Sequence, residues 1–154
     1  MKIVFVCLGN ICRSPLAEAI FNHKIKEKWL SPKFEADSCG TSNYNIGDSP
    51  DPRTIKNAGE NGVTMQHEAR QFSKTDLEMS DIILVMDKNN LEAVLSIPNA
   101  TLHKEKIKMM REFDPQGRGD VPDPYYGGEK DFQLVFDILD RSIENFITTL
   151  PTSK

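Results

Sequence analysis

The chain has 154 residues, 38% hydrophobic and 27% charged, with a net charge of −4; this length supports one self-sufficient domain over 1–154, and the composition excludes a long disordered tract. The acidic balance argues against a nucleic-acid partner, which selects clustered Lys and Arg, and the run Ile3-Val4-Phe5-Val6 is too short for a signal-peptide core or a membrane span. Three cysteines, Cys7, Cys12 and Cys39, with no export signal fit reduced thiols, so the expected address is cytoplasmic.

Lys2 to Val6 reads as a short buried strand, and a helix follows with Ser14 as its N-cap and Pro15 at its first position. Leu16, Ala17, Ile20 and Phe21 recur at helical spacing, and the helix is expected to stop before Ser31-Pro32. A second strand is expected from Phe34 to Ser38, then a polar loop from Gly40 to Ser49. A helix opened by Asp51-Pro52 should end near Gly59 or Gly62. Ser73-Lys74-Thr75-Asp76 opens another helix. Asp81 to Met86 has a continuous apolar centre, as a parallel strand covered on both faces would. A helix over Asn89 to Ile97, a weaker strand over Lys106 to Met109 and a Pro- and Gly-rich loop from Phe113 to Lys130 come next. Asp131 to Thr149 carries the clearest helical periodicity. Strand and helix alternate, which predicts an α/β fold: a four-stranded parallel sheet with helices on both faces, Rossmann-like, binding ligands at the carboxyl ends of its strands.

Cys7 lies at such an end. Cysteine followed six positions later by Arg13 is a weak signal in isolation. Here the pair brackets a turn between a strand and a helix N-terminus, where unpaired N–H groups and the positive end of the helix dipole converge on an anion. That geometry binds phosphate and favours a nucleophilic thiolate. Arg13 offers a planar two-point grip on phosphate oxygens. Gly9 suits unusual dihedrals and close backbone approach, and Ser14 is placed to stabilise the thiolate as a leaving group. The plain alternative makes Cys7 the end of a buried strand and Arg13 a surface residue; the strand-turn-helix setting outweighs it.

Phosphoryl transfer from an ester also needs a proton for the leaving oxygen. Asp123 is the candidate, held between Pro122 and Pro124 in a loop softened by Gly127 and Gly128. Asp-Pro also initiates turns, as at Asp51 and Asp114, so a structural role stays open. Tyr125 and Tyr126 either wall the entrance to a cleft or pack at the loop base. The histidines, at 23, 67 and 103, are scattered and no Cys-x-x-Cys occurs, so neither a metal nor a cofactor is expected.

Cys7-Leu8-Gly9-Asn10-Ile11-Cys12-Arg13-Ser14-Pro15, joined to Asp123-Pro124-Tyr125-Tyr126-Gly127, resembles the low-molecular-weight protein tyrosine phosphatases. The likeness runs nearly end to end, taking in Asp37-Ser38, Thr41-Ser42, Ile46-Gly47, His67-Glu68-Ala69-Arg70-Gln71 and Met86-Asp87. It implies Cys7 as nucleophile, Arg13 with the loop amides of Leu8 to Cys12 as phosphate binder, and Asp123 as acid and then base for water. It also implies a network of Asn10, Ser38 and His67 that shapes the loop, and Asp87 as a residue orienting Arg13. From the residues themselves, His67 reads as an ordinary satisfied histidine and Asp87 as a strand-end turn residue. Tyr44 stands where many relatives carry Trp, which preserves an aromatic wall. In this family Ile at position 11 accompanies phosphotyrosine specificity and Thr accompanies phosphoarginine specificity.

Cys12 is close enough in sequence to Cys7 for a reversible disulfide if the turn brings their Cα atoms within about 7 Å; a small buried filler is the other reading, and the preferred one for Cys39. Arsenate reductase, which shares the fold and the Cys-x5-Arg loop, would need further cysteines beyond Cys39, and a mere phosphotyrosine-binding module would need neither nucleophile nor acid. A scaffold that has lost catalysis is not excluded by any residue. The expected partners are phosphotyrosine proteins or peptides, phosphate and other oxyanions, with no nucleic acid or membrane, the protein being a monomer or a weak dimer.

Overall fold

The computed structural model describes residues 1–151. Four parallel strands, β1 (Lys2–Cys7), β2 (Glu35–Gly40), β3 (Ile82–Val85) and β4 (Ile107–Met109), form one sheet in the order β2-β1-β3-β4. Five α-helices connect and cover it: α1 (Arg13–Glu27), α2 (Pro52–Glu60), α3 (Lys74–Met79), α4 (Lys88–Leu95) and α5 (Glu129–Thr148). The expected α/β architecture is therefore present. The sheet order places β1 between β2 and β3, so the chain leaves β1 in one direction and returns on its other side. The carboxyl end of β1 is thus a switch point, the place where such sheets open a crevice.

The pleat sorts the central strands into two cores. Ile3, Phe5, Leu84 and Met86 face one side and pack with Leu16, Ile20, Phe21, Leu139, Ile143 and Phe146 of α1 and α5. Val4, Val6, Ile83 and Val85 face the other and pack with Leu77 and Val94 of α3 and α4. Every side chain from Ile3 to Val6 is fully buried, and each contributes about 1.5–3 kcal/mol of transfer free energy. Burial on both faces explains why β1 and β3 read as continuous apolar runs instead of alternating ones. Phe21 joins the layers, its ring 5.9 Å from Phe5 and 6.2 Å from Phe146. This packing makes β1 and α1 a rigid support for the turn between them.

The boundaries differ from expectation in instructive places. Ser14 is not the N-cap of α1; Cys12 occupies that position without a side-chain cap bond, because the Ser14 hydroxyl is turned back towards Cys7. β2 runs two residues past Ser38 to Gly40, carried on by pairing of Cys39 and Gly40 with Val6 and Cys7. α4 begins at Lys88 and ends at Leu95, with Asp87 as its cap in a reciprocal arrangement with Asn90. Asp51 caps α2 and Ser73 caps α3, as their sequence signals predict.

Candidate active site

The turn from Cys7 to Arg13 wraps the carboxyl end of β1. Its tightest point is Asn10, a non-glycine residue at φ +58°, a backbone region in which Asn is several-fold enriched. The side chain holds it there. Asn10 Nδ2 donates to Ser14 Oγ at 2.8 Å and to Ser38 Oγ at 3.0 Å, while Oδ1 accepts from the backbone N–H of Arg70 at 3.0 Å and lies 2.8 Å from His67 Nε2. Gly9 is not among the glycines at positive φ, so the turn does not draw on it for unusual dihedrals. A Cβ there would stand 2.7 Å from Asn45 Nδ2, the end of a side chain that can turn aside, so what comes close to Gly9 is a side chain and not the backbone its sequence suggested.

This turn aims donors at one point. Asn10 N donates to Cys7 Sγ at 3.3 Å, and Ser14 Oγ lies 2.9 Å from the same sulfur. Among the described residues, the amides of Leu8, Gly9, Ile11 and Cys12 have no acceptor within the chain. Unspent amides at the start of a helix form an anion-binding cradle. Arg13 is buried alongside, its Nη1 donating to Asp87 Oδ2 at 2.6 Å and to the carbonyl of Val121 at 3.0 Å. Burial pulls the guanidinium pKa down, but Cys7, Asp87 and Asp123 outweigh it and the net shift is upward, so Arg13 is a permanent cation. Asp123 Oδ2 stands 3.6 Å from Arg13 Nη2 and remains partly exposed.

These groups share one cleft of about 290 Å³, lined by Cys7, Leu8, Gly9, Ile11, Cys12 and Arg13 on the floor and by Tyr44, Asn45, Asp123, Tyr125 and Tyr126 on the walls. Tyr125 and Tyr126 meet edge to face, with ring centroids 5.0 Å apart. Tyr126 is almost wholly exposed and Tyr44 largely so, which leaves both rings accessible at the rim of the cleft. Asn10, Ser14, Ser38, His67 and Asp87 do not line the cleft; they lie behind the turn. Cys12 is a buried thiol whose pKa is pushed up to about 12, chiefly by burial, and all three cysteines are free.

The sequence reading missed several members of this arrangement. Glu18 accepts from Ser38 Oγ at 2.7 Å and stands 3.3 Å from His67 Nδ1. Glu18, Asp37 and His67 present potential ligand atoms within 4.8 Å of one another, a grouping their spacing conceals. Hydrogen bonds already occupy these groups: Asp37 accepts from Ser38 N and from Arg70, and Glu18 from Ser38. Asn45 shapes the cleft from within a polar loop that carries no distinguishing signal.

Comparison with known proteins agrees with this geometry. The sequence profile described as low molecular weight phosphotyrosine protein phosphatase matches residues 2–154. The protein of that name from Gallus gallus is 42% identical over 147 residues, covering 95% of this chain and 93% of its own. A protein tyrosine phosphatase from Entamoeba histolytica, crystallised with Hepes in its active site, superposes with a TM-score of 0.91 at 40% identity, over 96% of this chain and 95% of its own. Wzb from Vibrio vulnificus, in complex with benzylphosphonate, superposes with a TM-score of 0.85 at 29% identity, over 97% of this chain and 98% of its own. A parallel sheet whose first strand ends in an amide-lined Cys-x5-Arg turn, matched along almost its whole length by these proteins, places the chain in the low molecular weight phosphotyrosine protein phosphatases, a family of hydrolases.

Proposed function

We propose that this chain hydrolyses phosphotyrosine in proteins or peptides through a phosphocysteine on Cys7. The observation that carries the reading is the convergence of the Cys7 sulfur, the unspent amides of the turn and the Arg13 guanidinium in one cleft with Asp123 on its wall. Phosphate oxygens enter the cradle, where the amides and Arg13 match the charge that develops during transfer. The Cys7 thiolate forms the S–P bond as the P–O bond to tyrosine breaks, and Asp123 gives its proton to the departing phenolate. Asp123, now ionised, takes a proton from water, which attacks phosphorus; the S–P bond breaks and the Ser14 hydroxyl donates to the returning thiolate. Asn10, Ser38 and His67 keep the cradle in shape, and Asp87 orients Arg13.

The tyrosine walls favour an aryl ester, and Ile11 on the cleft floor accords with phosphotyrosine over phosphoarginine on the resemblance stated above. The whole chain acts as one phosphatase domain, without metal or cofactor, in the cytoplasm, as a monomer or weak dimer; no helix among the described residues is long and apolar enough to cross a membrane. The deciding experiment measures phosphate release from phosphotyrosine, phosphoserine and phosphoarginine substrates, with and without EDTA, for the parent, Cys7→Ser and Asp123→Asn. Turnover of phosphotyrosine that vanishes with Cys7→Ser and falls about a hundredfold with Asp123→Asn is expected. No release from any substrate by the parent would end the proposal, and release from phosphoarginine alone would overturn the specificity.

A further inference from the structure

The loop that carries Asp123 is thinly attached. Val121 is fixed by its N–H to the carbonyl of Met86 at 2.8 Å, and beyond it the bonds at Tyr125 N and Gly127 N are internal. Beside the ion pair of Asp123 with Arg13 at 3.6 Å, among the described residues only one hydrogen bond reaches residues 122–127 from another element. Arg53 Nη2 gives it, to the carbonyl of Tyr125 at 2.9 Å. The same guanidinium is gripped at both ends of the Asp51 carboxylate, Nε to Oδ1 at 3.1 Å and Nη2 to Oδ2 at 2.9 Å. It also lies over two rings, 5.4 Å from the centroid of Tyr125 and 4.7 Å from that of Phe132 at the start of α5. Asp51 in turn donates its backbone N–H to the carbonyl of Ile11 in the phosphate-binding turn at 2.8 Å.

We infer that Arg53 is a positioning residue for the leaving-group acid: through Asp51 and Tyr125 it sets the distance between the turn that binds phosphate and the loop that presents Asp123. The inference rests on the reading of Asp123 as that acid. A side chain that meets both oxygens of one carboxylate and a carbonyl while lying over two rings suits the planar fork of a guanidinium; an ammonium has three donors but no planar fork to match a carboxylate at two points. Cation–π contact with Tyr125 also orders one wall of the cleft. Arg53 acts on the reaction only through these neighbours, since it does not line the cleft.

The test compares kcat/KM for a phosphotyrosine peptide, whose leaving group needs a proton, with that for 4-nitrophenyl phosphate, whose leaving group needs little. Parent, Arg53→Met, Arg53→Lys, Asp123→Asn and Arg53→Met/Asp123→Asn proteins are measured, together with inhibition by vanadate and thermal unfolding. Arg53→Met is expected to lower the phosphotyrosine value about tenfold or more, a part of what a general acid supplies. The nitrophenyl value and vanadate inhibition should change less than about threefold. Arg53→Lys should fall between Arg53→Met and parent, and keeps the test open if the Met variant folds poorly. The double variant should lose little beyond Asp123→Asn. Equal losses on both esters, vanadate inhibition weakened in parallel, or no loss at all would each overturn the role of Arg53. If Asp123→Asn itself shows no dependence on the leaving group, the acid assignment fails; if it does and Arg53→Met does not, only this inference fails.

Discussion

One carboxylate, that of Asp87, serves two elements: its Oδ2 accepts a 2.6 Å hydrogen bond from Nη1 of Arg13, and its Oδ1 accepts from Asn90 N at 2.8 Å, capping α4. The Arg13 side chain is 3% exposed and that of Asp87 17%, so water screens the pair little. Asp87→Asn keeps an acceptor for the cap and removes the charge, whereas Asp87→Ala removes both. Phosphate inhibition is expected to weaken about tenfold in Asp87→Asn, because Arg13 loses the partner that fixes its plane. Both variants should lose about 3 kcal/mol in urea unfolding, the cost of leaving a buried guanidinium without its counter-charge, and Asp87→Ala about 1 kcal/mol more for the lost cap of α4. An unchanged phosphate inhibition constant in Asp87→Asn would show that the carbonyl of Val121 alone suffices to orient Arg13.

Behind the turn, burial works on Glu18 and His67 in opposite senses. It pushes the Glu18 carboxyl up to about 7, against hydrogen bonding from Ser38, and it pushes the His67 ring down. Between the ordinary 4.5 of Glu and about 7, folded Glu18 holds a proton that the unfolded chain has released. Its contribution to stability is therefore full below that window and is lost as pH rises through it. His67 has the reverse slope: its contribution is present above the ordinary 6.5 and declines as pH falls through the lowered folded value. Glu18→Gln removes the first slope and keeps an oxygen for Ser38. Measured by urea unfolding, this variant should gain on the parent by about 2 kcal/mol between pH 5 and pH 8. A constant difference across that range would mean that Glu18 is ionised throughout in the folded state.

Much of this architecture was legible because its signals are local. The runs at Ile3 to Val6 and Ile82 to Met86 announce strands buried on both faces, and the spacing from Phe132 to Phe146 announces α5. The turn from Cys7 to Arg13 was legible for the same reason, being a short segment between two such elements. Ser14 misled because its hydroxyl has a competing partner in Cys7, a contact that cap preference alone does not weigh. Glu18, Asn45 and Arg53 were illegible. Each is a polar residue whose role arises from a partner distant in sequence, as Glu18 meets Ser38 and His67, and Arg53 meets Tyr125 across 72 positions. Folding creates those pairings, and no period or spacing encodes them.

Gly40, the last residue of β2, shows how closely the sheet braces the turn from Cys7 to Arg13. A Cβ there would stand 2.6 Å from the carbonyl oxygen of Leu8 and 3.1 Å from the carbonyl carbon of Gly9. Both are backbone atoms, so relief requires the turn itself to move and not a side chain to rotate. Gly40 cannot retreat instead, because its N–H donates to the carbonyl of Arg70 at 2.8 Å and its carbonyl accepts from Phe72 N at 2.7 Å. Gly40→Ala should therefore cost about 1–3 kcal/mol of stability through overpacking. It should also weaken vanadate inhibition, since displaced amides no longer converge on the oxyanion. Gly59→Ala in α2 is the control: a Cβ there meets nothing within 4 Å, and a helical Gly→Ala change is expected to stabilise by about 0.5–1 kcal/mol. If Gly40→Ala lost stability while vanadate inhibition stayed at the parent value, the turn would be shown to move as a rigid unit, keeping its donors aligned while the contact with β2 gives way.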